Sequence, residues 1–78
     1  MGYTIRRWMS FDGNLSDDSQ HVNTAEDAII ATIRYAGMFQ NIITEDIKGR
    51  IRDMEPGESI KIGRPSLKLT IRIRRTKT

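Results

Sequence analysis

Apolar and polar residues alternate at both ends of this chain and recur with helical spacing in its middle. Tyr3, Ile5, Met9 and Phe11 share one side of a period-two pattern, with Arg6 and Trp8 on the other, which predicts a strand over 3–11. Arg7 interrupts the apolar side and either snorkels at an edge or marks a bulge. The polar stretch that follows is rich in turn formers and predicts a flexible loop over about 12–22. Over 23–37 the spacing of Ala25, Ala28, Ile29, Thr32, Ile33 and Ala36 predicts an amphipathic helix, capped by Asn23 or Thr24 and ended by Gly37. Met38 and Phe39 are expected to fold back onto the core. A second, shorter helix is predicted over 44–54, with Thr44 as cap and Ile47, Ile51 and Met54 as its apolar side.

Two strands close the chain. Glu55-Pro56-Gly57-Glu58 predicts a turn, and 59–62 a short strand with Ile60 and Ile62 inward. Gly63-Arg64-Pro65-Ser66 predicts a second turn. Over 67–75, Leu67, Leu69, Ile71 and Ile73 alternate with Lys68, Thr70, Arg72 and Arg74, the most regular strand pattern present. The predicted fold is one α+β domain over 1–78, in the order β-α-α-β-β. Its three-stranded antiparallel sheet has the last strand central, two helices packed on one face and the other face open to water.

Length and composition narrow the function classes. A chain of 78 residues has room for one core and little room for a substrate pocket. It has no cysteine, which excludes disulfides and thiolate metal sites. No apolar run approaches the roughly 20 residues of a membrane helix. No signal peptide is visible, so a cytoplasmic setting without membrane attachment is expected. Catalytic chemistry is thinly represented. His21 is the single imidazole, no glycine-rich phosphate loop occurs, and Asp12, Asp17 and Asp18 lack the spacing of a calcium loop. The expectation is a non-enzyme without cofactor or metal.

Charge is segregated. The first eleven residues carry Arg6 and Arg7 and no acid. All ten acids fall within 12–58, against four basic residues. The last twenty residues carry seven basic residues and no acid, and the chain's net charge is +3. Such asymmetry speaks to partners rather than to fold. On the predicted sheet, Arg6, Trp8, Lys68, Arg72 and Arg74 fall on the open face, and Arg64, Arg75 and Lys77 extend it. Cations for phosphates beside an aromatic for stacking are the ingredients of single-strand binding faces. The same cations also keep an exposed sheet soluble, and Trp8 enters the core if the strand register slips by one. Asp12, Asp17, Asp18, Glu26 and Asp27 form a second, acidic candidate surface near the first helix start.

In general build the chain resembles the small phage proteins that disarm host defences, the anti-CRISPR proteins. The resemblance rests on the short cysteine-free chain, the amphipathic helix over 24–37, the Glu55-Pro56-Gly57-Glu58 turn and the closing strand over 67–75. It implies a phage-encoded, non-enzymatic inhibitor in the host cytoplasm. Such a protein docks on a CRISPR effector complex and blocks DNA binding or nuclease recruitment sterically, with a protein surface or exposed guide RNA as its partner. The alternative is a small nucleic-acid-binding domain that uses the open sheet. Either a monomer or a homodimer joined through Trp8 and an edge strand is compatible with this size.

Overall fold

The alternating segments at the two ends of the chain pair with each other. The computed structural model describes residues 2–11, 13–64 and 68–76. Its strands are β1 (Tyr3–Phe11), β2 (Asn14–Val22), β3 (Ser59–Arg64) and β4 (Leu69–Arg75). Two helices, α1 (Ala25–Ala36) and α2 (Glu45–Arg52), lie between β2 and β3, joined by a 3-10 segment over Gly37–Ile42. The α+β class and the two helices follow the sequence reading. The sheet, however, has four antiparallel strands in the order β2-β1-β4-β3, not three.

The extra strand is the stretch read as a flexible loop. β1 and β2 form a hairpin in which Phe11 pairs with Asn14. Gly13 between them adopts φ 81°, the left-handed region a tight hairpin turn requires. β2 has almost no apolar content of its own. Its face toward the helices contributes Val22 to the edge of the core, and Leu15 on the other face is 85% exposed. What holds it is the backbone ladder to β1 and two arginine–aspartate pairs. Arg6 reaches Asp17, and Arg7 reaches Asp18, which sits directly opposite it. Opposite charges on neighbouring strands favour the pairing, an effect that solvent screens at exposed sites.

Arg7 makes no bulge, since the β1 register runs unbroken on both sides. It lies on the helix side of the sheet, donates from Nη1 to the Tyr35 carbonyl at 3.3 Å and stacks 5.1 Å from the Tyr35 ring. The arginine thus closes the end of the core between the hairpin and α1.

The core lies between the sheet and α1. Ile5, Leu69, Ile71 and Ile73 are essentially inaccessible, and Ile60 and Ile62 add the β3 side. Each buried aliphatic side chain contributes roughly 1.5–3 kcal/mol. Thr24, rather than Asn23, caps α1 by accepting from the Asp27 N–H at 3.1 Å. Gly37 ends the helix at φ 58°. Ala28, Ile29, Ala31, Thr32 and Ala36 are its buried face, and the Thr32 hydroxyl is satisfied by donating to the Ala28 carbonyl at 2.7 Å. Thr44 caps α2, whose Ile51 is buried together with Met54 just beyond the helix. Phe39 packs against the core as expected, but Met38 is 85% exposed. β3 extends two residues further than predicted, so Gly63 and Arg64 belong to the strand and not to a turn. Leu67, Pro65 and Ser66 lie outside the described residues.

Two glycines test this packing in opposite directions. A Cβ on Gly63 would meet the Leu69 carbonyl oxygen at 2.5 Å, whereas one on Gly49 in α2 would meet nothing within 4 Å. Gly63→Ala is expected to destabilise the fold by about 1–3 kcal/mol. Gly49→Ala is expected to stabilise it by up to ~1 kcal/mol through helix propensity. Urea denaturation of the two variants checks both signs.

Candidate binding face

Strand alternation decides which side chains the helices cover. Tyr3, Ile5, Arg7 and Met9 of β1 share the helix side with Leu69, Ile71, Ile73 and Arg75 of β4. The intervening residues stand on the opposite face, which no helix covers. The registers align them in rows across the sheet. One row reads Lys61, Arg72, Arg6 and Ser19. The row on one side reads Ser59, Arg74, Thr4 and His21, and on the other Gly63, Thr70, Trp8 and Asp17.

The first row sets three cations side by side on three adjacent strands. Like charges directly opposite one another destabilise a sheet. Among the described residues, Asp17, diagonal to Arg6, is the one carboxylate that offsets this. It takes one edge of the Arg6 guanidinium, accepting from Nε at 3.0 Å and from Nη2 at 2.7 Å. The hydrogen bond from Arg6 holds the Asp17 carboxyl below its ordinary range and raises Arg6 in turn. Among the described residues, no carboxylate lies within ion-pair distance of Lys61, Arg72 or Arg74.

Trp8 belongs to this face and not to the core. The Arg6 guanidinium carbon lies 4.5 Å from its ring centre and that of Arg72 lies 5.4 Å away. Both guanidiniums therefore lie within cation–π range of the one indole, which helps to order two long cationic side chains on this face. Between β1 and β4 the face sinks into a shallow hollow of about 230 Å³, walled by Thr4, Arg6, Arg72, Arg74 and Thr76.

Of the residues predicted for the binding face, Arg6, Trp8, Arg72 and Arg74 meet on the open face. Arg75 does not. It sits on the helix side, donates to the Met54 carbonyl and stacks 5.8 Å from the Tyr3 ring, tying the α2 end to the sheet. Lys68 is not a strand residue. It occupies a turn at φ 51°, exposed at the end of the sheet, and its carbonyl accepts from the Ser10 N–H at 3.1 Å. Arg64 pairs through its backbone with Leu69, and its side chain lies outside the described residues, as does Lys77. Lys61 was missed as a site residue. The inward assignment of Ile60 and Ile62 already places it outward.

The five predicted acids are not one surface. Asp17 and Asp18 point to opposite faces of β2, each matched to an arginine. Glu26 pairs with Arg52 at 2.7 Å, bridging α1 to α2, and that bond lowers its carboxyl below the ordinary range. The Asp27 backbone serves the α1 cap, and Asp12 lies outside the described residues. Among the described residues, no group of three or more His, Cys, Asp or Glu could hold a metal ion, and no helix is long and apolar enough to cross a membrane.

The lowered Asp17 carboxyl carries a pH dependence. A carboxyl depressed in the folded state contributes stability above its unfolded value, near 3.8, and loses it as pH falls through the folded value. The Asp17→Asn variant is expected to lose less stability than the parent on acidification below about pH 4. Urea midpoints across that range check it, and the difference should shrink in high salt because the pair is exposed. Comparison with known proteins finds no matching family model, no matching curated protein and no matching solved structure.

Proposed function

We propose that this protein is a small non-enzymatic binding domain that holds single-stranded nucleic acid on the helix-free face of its sheet. The observation that carries this reading is the row of Lys61, Arg72 and Arg6 beside the Arg6–Trp8–Arg72 cluster. Three adjacent cations, with Asp17 beside Arg6 as their one acidic partner among the described residues, suit a polyanion that lowers their mutual repulsion. Arginines positioned over an indole offer both phosphate contacts and a planar stacking surface for an unpaired base. An open sheet face with no protruding element favours a splayed single strand over a duplex, whose major groove takes a protruding helix or ribbon.

A second reading is a steric inhibitor of the anti-CRISPR kind, docked by the same face on an effector complex. The composition of the cluster favours it too, because Trp and Arg dominate the energetic centres of protein interfaces. Capture of a purified effector complex, with protection of a phage in cells carrying it, would support that reading. Failure of both would remove it.

Fluorescence titration with single-stranded DNA and RNA oligonucleotides tests the first reading, since Trp8 is the sole tryptophan. Three to four phosphate contacts predict that log K falls with log salt at a slope of about −2 to −3. Arg72→Glu is expected to abolish binding at moderate salt. Asp17→Asn is expected to tighten it, because it removes the carboxylate that partly neutralises Arg6. Binding that is absent at low salt, or indifferent to both variants, overturns the proposal.

A further inference from the structure

The hollow between β1 and β4 is distinct in chemistry from the rest of the open face. Three arginines line it, Arg6, Arg72 and Arg74, with the threonines Thr4 and Thr76 completing its walls. Its donors are not equally available. Thr76 is already occupied: its hydroxyl accepts from the Gly2 N–H at 2.9 Å and donates to the Gly2 carbonyl at 3.0 Å. It therefore forms a fixed wall that closes one end of the hollow. The Thr4 hydroxyl lies 3.4 Å from His21 Nδ1, a long and easily exchanged contact.

Asp17 engages Arg6 only through Nε and Nη2, which leaves the Nη1 edge of that guanidinium unused by the carboxylate. Arg72 and Arg74 have no acidic partner among the described residues. Arg72 is also held in place by its contact with Trp8, so part of its ordering cost is met before any ligand arrives.

Three arginines around one hollow, two of them without an acidic partner among the described residues, suit a tetrahedral oxyanion, which arginine binds through paired N–H groups. We infer that this hollow is the seat of one phosphate group, held by Arg72, Arg74 and the free edge of Arg6, with Thr4 as an auxiliary donor. The inference rests on the preceding reading for its ligand class, a nucleotide phosphate. Trp8 stands two residues along β1 from Arg6, about 7 Å away. A nucleotide seated by its phosphate in the hollow can therefore direct its base toward the indole. The hollow would then set the register of the strand on the sheet, where the remaining cations only attract it.

The same chemistry is shared by a backbone phosphodiester, a terminal phosphate and free phosphate, and the test separates them. Amide NMR and Trp8 fluorescence would be recorded during titration with inorganic phosphate, against sodium chloride of equal ionic strength. Oligonucleotides with and without a 5′-phosphate would follow. The expected result is a saturable phosphate response at Thr4, Arg72 and Arg74, weakened about tenfold by Arg74→Gln and unchanged by Lys68→Gln, a cation outside the hollow. Arg74 is exposed, so its replacement leaves the core intact. A further gain from the 5′-phosphate would assign the hollow to strand ends, and equal binding would assign it to the phosphodiester backbone.

Phosphate no better than chloride, with oligonucleotides still bound, overturns the hollow and leaves the open-face reading standing. Saturable phosphate without oligonucleotide binding supports the hollow as a free-phosphate site and overturns the open-face reading. No response to either probe overturns both.

Discussion

Pairing the first strand with the last, Ile5 opposite Ile73, is the constraint under which the other features fall into place. That register brings Ile5, Ile71 and Ile73 together beneath α1, where each is withdrawn from water. Because strand side chains alternate, the same register has no freedom in what it sets on the other side. Arg6 must stand opposite Arg72, and Thr4 opposite Arg74. The crowding of cations on the open face is thus a consequence of filling the core. The gain from burying several isoleucines, roughly 1.5–3 kcal/mol each, outweighs a repulsion between exposed charges that water and salt screen.

Consecutive arginines on β1 show how one strand serves both sides. Arg6 faces water, binds Asp17 and stacks on Trp8. Arg7, one residue on, faces the helix, binds Asp18 and leans on Tyr35. Together they fasten both faces of β2 to the sheet. That is why an edge strand with so little apolar surface stays in register, and its acids also discourage pairing with a further strand.

The parts of this fold that were legible in the sequence are those where apolar periodicity and end signals agree. The helix over Ala25–Ala36 announced itself by its Ile and Ala spacing and by Gly37, and β4 by its strict alternation. β2 was not legible by that route, because Ser16, Asp17, Asp18, Ser19 and Gln20 carry no apolar alternation. Its signal was elsewhere, in the Asp-Gly dipeptide at 12–13, a sequence that favours tight hairpin turns, and in two acids spaced to face two arginines across the turn. The basic face was half legible. Alternation placed Arg6, Trp8, Arg72 and Arg74 correctly, but could not show that Arg75 turns to the helix side to reach Met54. Nor could it show that Lys68 precedes the strand in a left-handed turn. The separation of Asp17 from Asp18 followed only once their stretch was known to be a strand.

The hollow on the open face is made from positions 4, 6, 72, 74 and 76. Its two sides are therefore separated by nearly the whole chain, while the strands of each hairpin are close neighbours in sequence. Closing a loop of that length costs entropy that the local hairpins do not pay. The hollow comes into being with the seam that joins the two hairpins, and it vanishes whenever that seam opens. An occupant seated there would act as a clasp across the chain's first and last strands, tightening the whole molecule by an amount that grows with the logarithm of its concentration above Kd.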